Sequence, residues 1–435
     1  MNGTGIASGA AVGAARVPQP PPLALYVHLP WCVRKCPYCD FNSHQLKGAA
    51  PSEAYIDALI RDFDLELPLI GTRSIDTVFF GGGTPSLFMP ESFDRLLSAV
   101  RARARLAPDA EITLEANPGT IERGAFAGYR DAGINRVSLG AQTFSAPALT
   151  RLGRIHAADD TLRAVEELKA AGIDNFNLDL MYALPEQTVA EALADVEMAC
   201  SLQPAHLSHY QLTLEQGTVF HSRPPPLPDD ETAWTMQNEC QSLLAARGYG
   251  QYEVSAYAQP GRRCRHNLIY WQFGDYVGIG AGAHGKLTLA AAAPLPGDPP
   301  TVRAPLRILR TAKPKQPREY QQLLLGGSLP ASPEASDGAS AGEDVVLFPR
   351  TDPIGDRKFI PPAELPFEFM LNALRLNEGF AAADYEARTG LDIDASGETL
   401  AAAESTHLLE RTGLGWRPSD TGRRFLNDLL LRFLP

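Results

Sequence analysis

Two rhythms of apolar and polar positions alternate along the first 285 residues. Short runs dense in β-branched and aromatic residues come first: "LALYVHL" (23–29), "IDTVFF" (75–80) and "EITLEA" (111–116), then "NRVSLGAQ" (135–142), "NFNLDLMYAL" (175–184) and "HLSHYQLT" (206–213). Such runs read as strands buried on both faces. Between them the apolar residues fall three and four apart, as in Tyr55, Leu59, Phe63 and Leu67 behind a capping Ser52. Phe93, Leu96, Leu97 and Val100 repeat the spacing behind Pro90, and further helices are expected near 122–132, 159–171, 188–200 and 231–247. Strand–helix pairs of this length predict βαβ units, a parallel sheet and right-handed crossovers. There are six units, too few for a closed eight-fold barrel. The expected fold is α/β, a partial (β/α)6 barrel, with a doubly wound sheet as the alternative. In either, chemistry gathers at the carboxyl ends of the strands.

Past residue 285 the rhythm fails. "AAAAPLPGDPP" and "GGSLPASPEASDGASAGED" are rich in Pro, Ala, Gly and Ser, so 286–360 is expected to be a linker with low-complexity insertions. Helical patterning returns over 361–435, where helix, helix, a short strand pair and a last helix suit a small, mostly helical, winged-helix-like domain. The barrel domain is assigned to 23–285, and 1–22, an Ala/Gly/Pro-rich stretch, to a disordered tail. That tail holds only Arg16 as a basic residue and has no apolar centre, so neither a signal nor a transit peptide is expected, and the location is expected to be cytoplasmic. No apolar run is long enough to span a membrane.

Charge narrows the partners. With 39 bases against 51 acids the net charge is −12, which argues against nucleic acid as a partner. Six cysteines occur at 32, 36, 39, 200, 240 and 264, clustered once and then scattered, a pattern of metal binding in a reduced compartment rather than of a disulfide scaffold.

The cluster, Cys32, Cys36 and Cys39, lies in a loop directly after the first strand. A structural zinc site takes four ligands, and His28 or His44 would have to supply the fourth. A four-iron cluster held by three thiolates instead leaves one iron open to an exogenous molecule. Tyr38 stands just before the last cysteine. After the second strand, Gly81, Gly82 and Gly83, followed by Thr84, remove every Cβ from a turn and allow close approach of backbone to a ligand. Glu115, Gln142, Arg154 and Asp179 then sit at or just after strand ends, where a barrel places its ligand. The two carboxylates can accept from an amine or from ribose hydroxyls, Gln142 can donate and accept, and Arg154 can fork onto a carboxylate.

CxxxCxxC after a first strand resembles the radical S-adenosylmethionine superfamily. Together with "GGGTPS", "LGAQTF", "RLGRIH" and "NLDLMYALP" the chain is similar to the oxygen-independent coproporphyrinogen III oxidase family, over about residues 24–290 and again over the last 75. The resemblance implies a 4Fe–4S cluster on Cys32, Cys36 and Cys39. It implies S-adenosylmethionine contacts from Tyr26, Gly82, Gly83, Thr84, Glu115, Gln142, Arg154 and Asp179, with Tyr38 as a further one. Two departures set the chain apart from the oxidase branch: Phe41 stands where that branch has a further cysteine, and no covering extension precedes Tyr26. His266, Asn267, Tyr270 and Trp271 form HNxxYW, resembling the haem chaperones of the same family. A histidine is a good axial ligand for haem iron and aromatic neighbours can flank a macrocycle; Cys264 offers a thiolate instead. The branch implies His266 as a haem contact, haem-receiving proteins as partners, and compatibility with a homodimer or with docking at membrane haemoproteins. The competing reading is an oxidase that abstracts hydrogen from propionate side chains.

Overall fold

The computed structural model describes residues 20–48, 52–120, 125–290, 306–326 and 355–435. Most of the stretch read as a disordered tail, and both low-complexity insertions, lie outside the described residues.

Six strands form the core of the sheet: β1 (Leu23–Leu29), β2 (Ser74–Gly82), β3 (Arg105–Ala116), β4 (Arg136–Gln142), β5 (Phe176–Tyr182) and β6 (His206–Gln211). Each pairs in parallel with the next. The helices between them are α1 (Ser52–Ile70), α2 (Pro90–Arg103), α3 (Ala125–Ala132), α4 (Ala158–Ala170) and α5 (Val189–Ser201), and α6 (Asp230–Ala246) follows β6. Spatial order equals chain order from β1 to β6, with no reversal. A doubly wound sheet reverses its order at a switch point. This sheet winds one way only and stays open, as a partial barrel does.

The helices form where the spacing predicts because each has one apolar face to bury. Phe93, Leu96, Leu97 and Val100 of α2 are all buried. Phe80 and Tyr129 meet Phe93 edge-on, which locks α2 and α3 onto β2. Helix α5 begins with a capping box in which Thr188 accepts from the Glu191 amide and the Glu191 carboxylate accepts from the Thr188 amide, ending the preceding loop at a fixed point.

The described parts of 286–360, a range expected as a linker, instead extend the sheet. A seventh parallel strand, β8 (Asp275–Ile279), pairs with β1 on the side opposite β2. Antiparallel β9 (His284–Ala290), β10 (Leu306–Ala312) and β11 (Asp356–Phe359) continue outward, and β7 (Ala256–Ala258) pairs antiparallel with β6 at the other end. The physical reason is burial. Leu287, Ile308 and Leu309 are buried, on the two faces of the sheet, and Lys313 reaches Asp62 and Glu66 of α1 at 2.7 Å each with all three side chains buried. The Pro- and Ala-rich flanks masked these short strands in the sequence. Helix α8 (Pro317–Leu325) then returns against α1.

The last 75 residues fold as helix, strand, helix, helix, strand pair and two short helices: α9 (Leu365–Ala373), β12 (Phe380–Ala381), α10 (Ala382–Thr389), α11 (Gly397–Ser405), β13 (Leu409–Arg411), β14 (Gly415–Pro418), α12 (Asp420–Arg424) and α13 (Leu426–Leu431). The three strands pair in the order β12, β14, β13, which is a winged-helix arrangement. Their core includes Phe369, Phe380, Tyr385 and Trp416, and it takes in Phe273 and Ile308 from the larger unit. Arg375 also donates to Glu253 at 2.9 Å across the junction.

Candidate functional site

The loop after β1 is pinched shut at its base, where Trp31 and Cys32 pair in parallel with His44 and Gln45. All three clustered cysteines lie on or inside that pinch as free, partly exposed thiols. Lys35 Nζ donates across the loop to the Phe41 carbonyl at 2.9 Å. Two groups from outside the loop donate to sulfur: Thr84 Oγ1 to Cys32 Sγ at 3.5 Å, and Arg154 Nη1 to Cys36 Sγ at 3.6 Å. Such donors suit thiolates, whose charge burial otherwise penalises; burial pushes the Cys32 and Cys39 thiols up.

A fourth zinc ligand is not on offer from the two histidines the sequence supplies. His28 is engaged at both ring nitrogens, with Tyr26 Oη at 3.0 Å and the Asn42 carbonyl at 2.8 Å, and His44 Nε2 faces the Lys315 carbonyl at 3.2 Å. Among the described residues no three His, Cys, Asp or Glu side chains converge on a position for one metal ion. Three thiolates on one loop suit a polynuclear cluster better, since there each thiolate takes a different iron.

The thiols open onto a cavity of about 150 Å³ at the carboxyl ends of the strands. Tyr38, Gly82, Gly83, Thr84, Glu115, Gln142, Arg154 and Asp179 line it together with the three cysteines. Glu115 accepts from the Gly82 amide at 3.1 Å. Asp179 accepts from Ser138 Oγ at 3.0 Å and from Asn177 Nδ2 at 2.8 Å. Gln142 sits at φ 67°, a left-handed conformation, and its Oε1 accepts from Tyr210 Oη at 2.8 Å. Arg154 Nη2 is anchored on the Gly140 carbonyl at 2.8 Å while its other amino group reaches the cysteine loop. Tyr26 is not among the lining residues. Its ring lies behind the wall at Gly81, where an added Cβ would come within 3.1 Å of it and of the Glu115 carboxylate.

The glycine turn has a different reason from the one expected. A Cβ at Gly82, whose φ is +115°, would lie 2.5 Å from His28 Cε1, and one at Gly83 would lie 2.5 Å from the Trp31 carbonyl. The close approach is made by His28 of β1 and by Trp31 at the base of the cysteine loop. Gly82→Ala is therefore expected to cost about 1–3 kcal/mol of folding stability, as overpacking and a left-handed φ both oppose it. A denaturation midpoint equal to wild type would show that His28 yields freely.

Electrostatics make the cavity receptive to a cation. Burial first, and then the Asp179 charge, raise the Glu115 carboxyl from 4.5 to about 8, against the pull of the Gly82 amide. Burial pushes Asp179 up as well, opposed by its bonds to Asn177, Ser208 and Ser138. The unfolded chain loses the Glu115 proton near 4.5 while the folded chain keeps it to about 8. This contribution to stability is thus full below the lower value and is lost as pH rises through the upper one. Glu115→Gln is expected to flatten that slope, giving a higher melting temperature than wild type at about pH 8.5 and little difference at about pH 4.5. Thermal melts across this range check it, and parallel curves for the two proteins would exclude Glu115 as the titrating group.

Residues 26–199 match the Radical SAM superfamily and residues 360–425 the HemN C-terminal domain. The fold is similar to that of coproporphyrinogen III oxidase (HemN) from Escherichia coli, with a TM-score of 0.73 at 20% identity, covering 96% of this chain and 91% of that one. In sequence, the chain is 44% identical to the haem chaperone HemW of Escherichia coli over 95% of its own length and 98% of that protein's. It is 41% identical to HemW of Haemophilus influenzae, over 96% and 99%. The chain belongs to the HemW family.

As a HemW family member its HNxxYW motif needs placing, and the structure puts it away from the cavity. The motif forms helix α7 (Arg265–Trp271), packed beneath β1 and β2. His266 is only 1% exposed. Its Nδ1 meets Thr77 Oγ1 at 2.8 Å, its ring stacks on Phe79 at 4.9 Å, and Tyr270 meets it edge-on. Burial, reinforced by Arg136, pushes its pKa down to about 3, so the imidazole is neutral. Among the described residues Nε2 has no hydrogen-bond partner. Expected as an open haem contact, His266 is instead enclosed: in this packing no macrocycle reaches Nε2 without displacement of α7. Cys264 is equally buried, with its Sγ donating to Glu111 at 3.6 Å.

Among the cavity residues that escaped the sequence reading, two hold polar groups of the ligand-side network. Tyr210 and Ser138 both line the cavity. Tyr210 is the penultimate residue of β6, so the strand-end rule that found Glu115 and Asp179 would also have found it. Ser138 lies in mid-strand, and a register irregularity between Leu139 and Gln142 separates it from the strand end, so the strand-end rule does not reach it. Among the described residues, no helix is long and apolar enough to cross a membrane.

Proposed function

We propose that this protein is a haem chaperone that holds a 4Fe–4S cluster on Cys32, Cys36 and Cys39, binds S-adenosylmethionine in the adjoining cavity, and takes up haem for delivery to haemoproteins. One arrangement carries the cofactor half: three free thiols with two sulfur-directed donors, opening onto a cavity that holds Glu115 and Asp179. The chaperone half rests on near-full-length similarity to proteins named haem chaperone HemW.

When bound, such a cluster supplies a low-potential electron to the sulfonium of the nucleotide. The chain's own groups bind and orient. Glu115 and Asp179 accept from the ammonium group and the ribose hydroxyls, and binding a cation drives the Glu115 proton off, so affinity rises with pH towards about 8. Arg154 faces both a thiolate and the space for a carboxylate. Gln142, fixed by Tyr210, offers donor and acceptor. Tyr26 backs the Glu115 wall rather than touching the ligand. Haem would be held at α7, where His266 Nε2, without a partner among the described residues, would supply an imidazole nitrogen to its iron once the helix moves. The partners are haem-receiving proteins met in the cytoplasm, reached by a single chain or a homodimer, at membrane haemoproteins among others.

The oxidase reading shares the fold. Against it stands Phe41, 60% exposed at the cavity mouth in place of a further cysteine. The deciding experiment incubates anaerobically reconstituted protein with haem and, separately, with coproporphyrinogen. A stable Soret band of nitrogen ligation, lost or shifted in His266→Ala, with no vinyl product, is the expected result. Vinyl product would move the assignment to the oxidase, and an identical band in the variant would place haem elsewhere.

A further inference from the structure

Beneath the cavity a hydrogen-bond chain joins Asp179 to the first residue of α7's cap, and all of its links point one way. Asn177 Nδ2 donates to Asp179 at 2.8 Å. Asn177 Oδ1 lies 2.7 Å from His206 Nδ1, His206 Nε2 lies 2.9 Å from Tyr252 Oη, and that oxygen lies 3.4 Å from the Cys264 amide nitrogen. Cys264 is the residue that begins α7. Asn177, His206 and Tyr252 are each 2% exposed or less, so water does not compete for these bonds.

The two ends agree on the direction. A backbone N–H can only donate, so the Tyr252 oxygen accepts from Cys264 and keeps its one proton available for His206 Nε2, in agreement with the direction that the carboxylate end sets. The imidazole therefore carries its proton on Nδ1 and donates to Asn177 Oδ1. From the other end, an ionised carboxylate only accepts, so Asn177 must turn its NH₂ towards Asp179 and its oxygen towards His206. Burial, with Arg136 nearby, keeps the imidazole neutral, which this assignment requires. Tyr252 and neutral His206 have one proton each, so their two links turn together, while Asn177 also donates to Ser138 Oγ at 2.7 Å and accepts from Ser208 Oγ at 3.2 Å.

We propose that Asn177, His206 and Tyr252 are positioning residues that orient the Asp179 carboxylate into the cavity and couple its occupancy to the amino-terminal end of α7. A group binding Asp179 from the cavity competes for the oxygens that Asn177 serves, and the change passes link by link to Cys264. Helix α7 has a second anchor, the Glu111 carboxylate accepting from the His266 amide at 3.1 Å, so a weakened Tyr252 link loosens the helix start without unfolding it. The identity of the ligand rests on the function proposed above; the chain itself does not.

The test has a ligand-free arm and a ligand arm. In the absence of any ligand, nitrogen NMR is expected to find His206 as the Nδ1–H tautomer, the minor form of free imidazole. Tyr252→Phe, which keeps the ring, is expected to speed hydrogen exchange at the Cys264 amide roughly tenfold. With S-adenosylmethionine in equilibrium dialysis, His206→Leu is expected to bind roughly tenfold more weakly, while His206→Asn, whose amide reproduces the Nδ1 donor, recovers most of the affinity. Ligand-induced acceleration of exchange over Cys264–Leu268 should appear in wild type and vanish in Tyr252→Phe. An Nε2–H tautomer, equal affinities for the Leu and Asn variants, or a ligand-induced acceleration that persists in Tyr252→Phe would each overturn the proposal. A wild-type protein that passes the ligand-free arm yet binds no S-adenosylmethionine removes the ligand assignment and supports the positioning chain.

Discussion

Cys36→Ala protein reconstituted with iron and sulfide is expected to be colourless and nearly iron-free, where wild type is brown with about four irons per chain. Cys32→Ala and Cys39→Ala should behave alike, because two thiolates cannot hold a four-iron cluster. Cys36 is the most informative of the three. Its sulfur receives the Arg154 guanidinium, so its loss also leaves a buried cation facing an empty position. The other cysteines supply the control. Cys200 and Cys240 face the core from α5 and α6 and Cys264 sits under the sheet, all free and buried. Their alanine variants should keep the iron and lose only packing energy. Iron and acid-labile sulfide analysis on the six variants decides the matter. One zinc per chain in wild type, with no iron taken up, would sink the cluster assignment.

Asp179→Ala is expected to weaken S-adenosylmethionine binding by on the order of 1.5–3 kcal/mol, roughly ten- to hundredfold in dissociation constant. The side chain is held on two sides, by Ser138 and Asn177, which leaves its carboxylate aimed at the cavity at little further entropic cost. Equilibrium dialysis measures the loss, and iron content should stay at the wild-type level because no cysteine contact passes through Asp179. The same variant strips Asn177 and Ser138 of an acceptor, so a modest fall in melting temperature is expected beside the lost affinity. Affinity equal to wild type would remove Asp179 from the binding site.

The strand and helix succession was legible because it depends on local periodicity. Runs such as "IDTVFF" have no polar face to give to solvent, and the 3.6-residue spacing in α2 has one face only to bury. The cysteine loop and the strand-end polar residues were legible for a related reason: a barrel exposes the carboxyl ends of its strands, so position along a strand predicts position in the site. Composition misled where short strands are embedded in Pro- and Ala-rich flanks. Strands β9 and β10 are seven residues each and are fixed by pairing and by the buried Lys313 ion pairs with α1, contacts 247 and 251 residues apart in sequence.

His266 marks the sharpest division between the two levels. The sequence by itself determined that a histidine, two aromatics and a nearby cysteine share one short segment. Only the tertiary structure decided that this segment is a helix under β1 and β2, with the imidazole stacked on Phe79 and sealed from solvent. The glycine triplet divides the same way. Its freedom from Cβ atoms is written in the chain, but that Gly82 must clear the His28 ring follows from the register of β1 against β2, where His28 pairs with Gly81. The chain order of strands, the thiol count and the residue types at strand ends are properties of the sequence, because they depend on neighbours a few positions away. Which of those groups meet, and how far burial moves their protons, depends on contacts between residues far apart in sequence, and only the folded chain sets these.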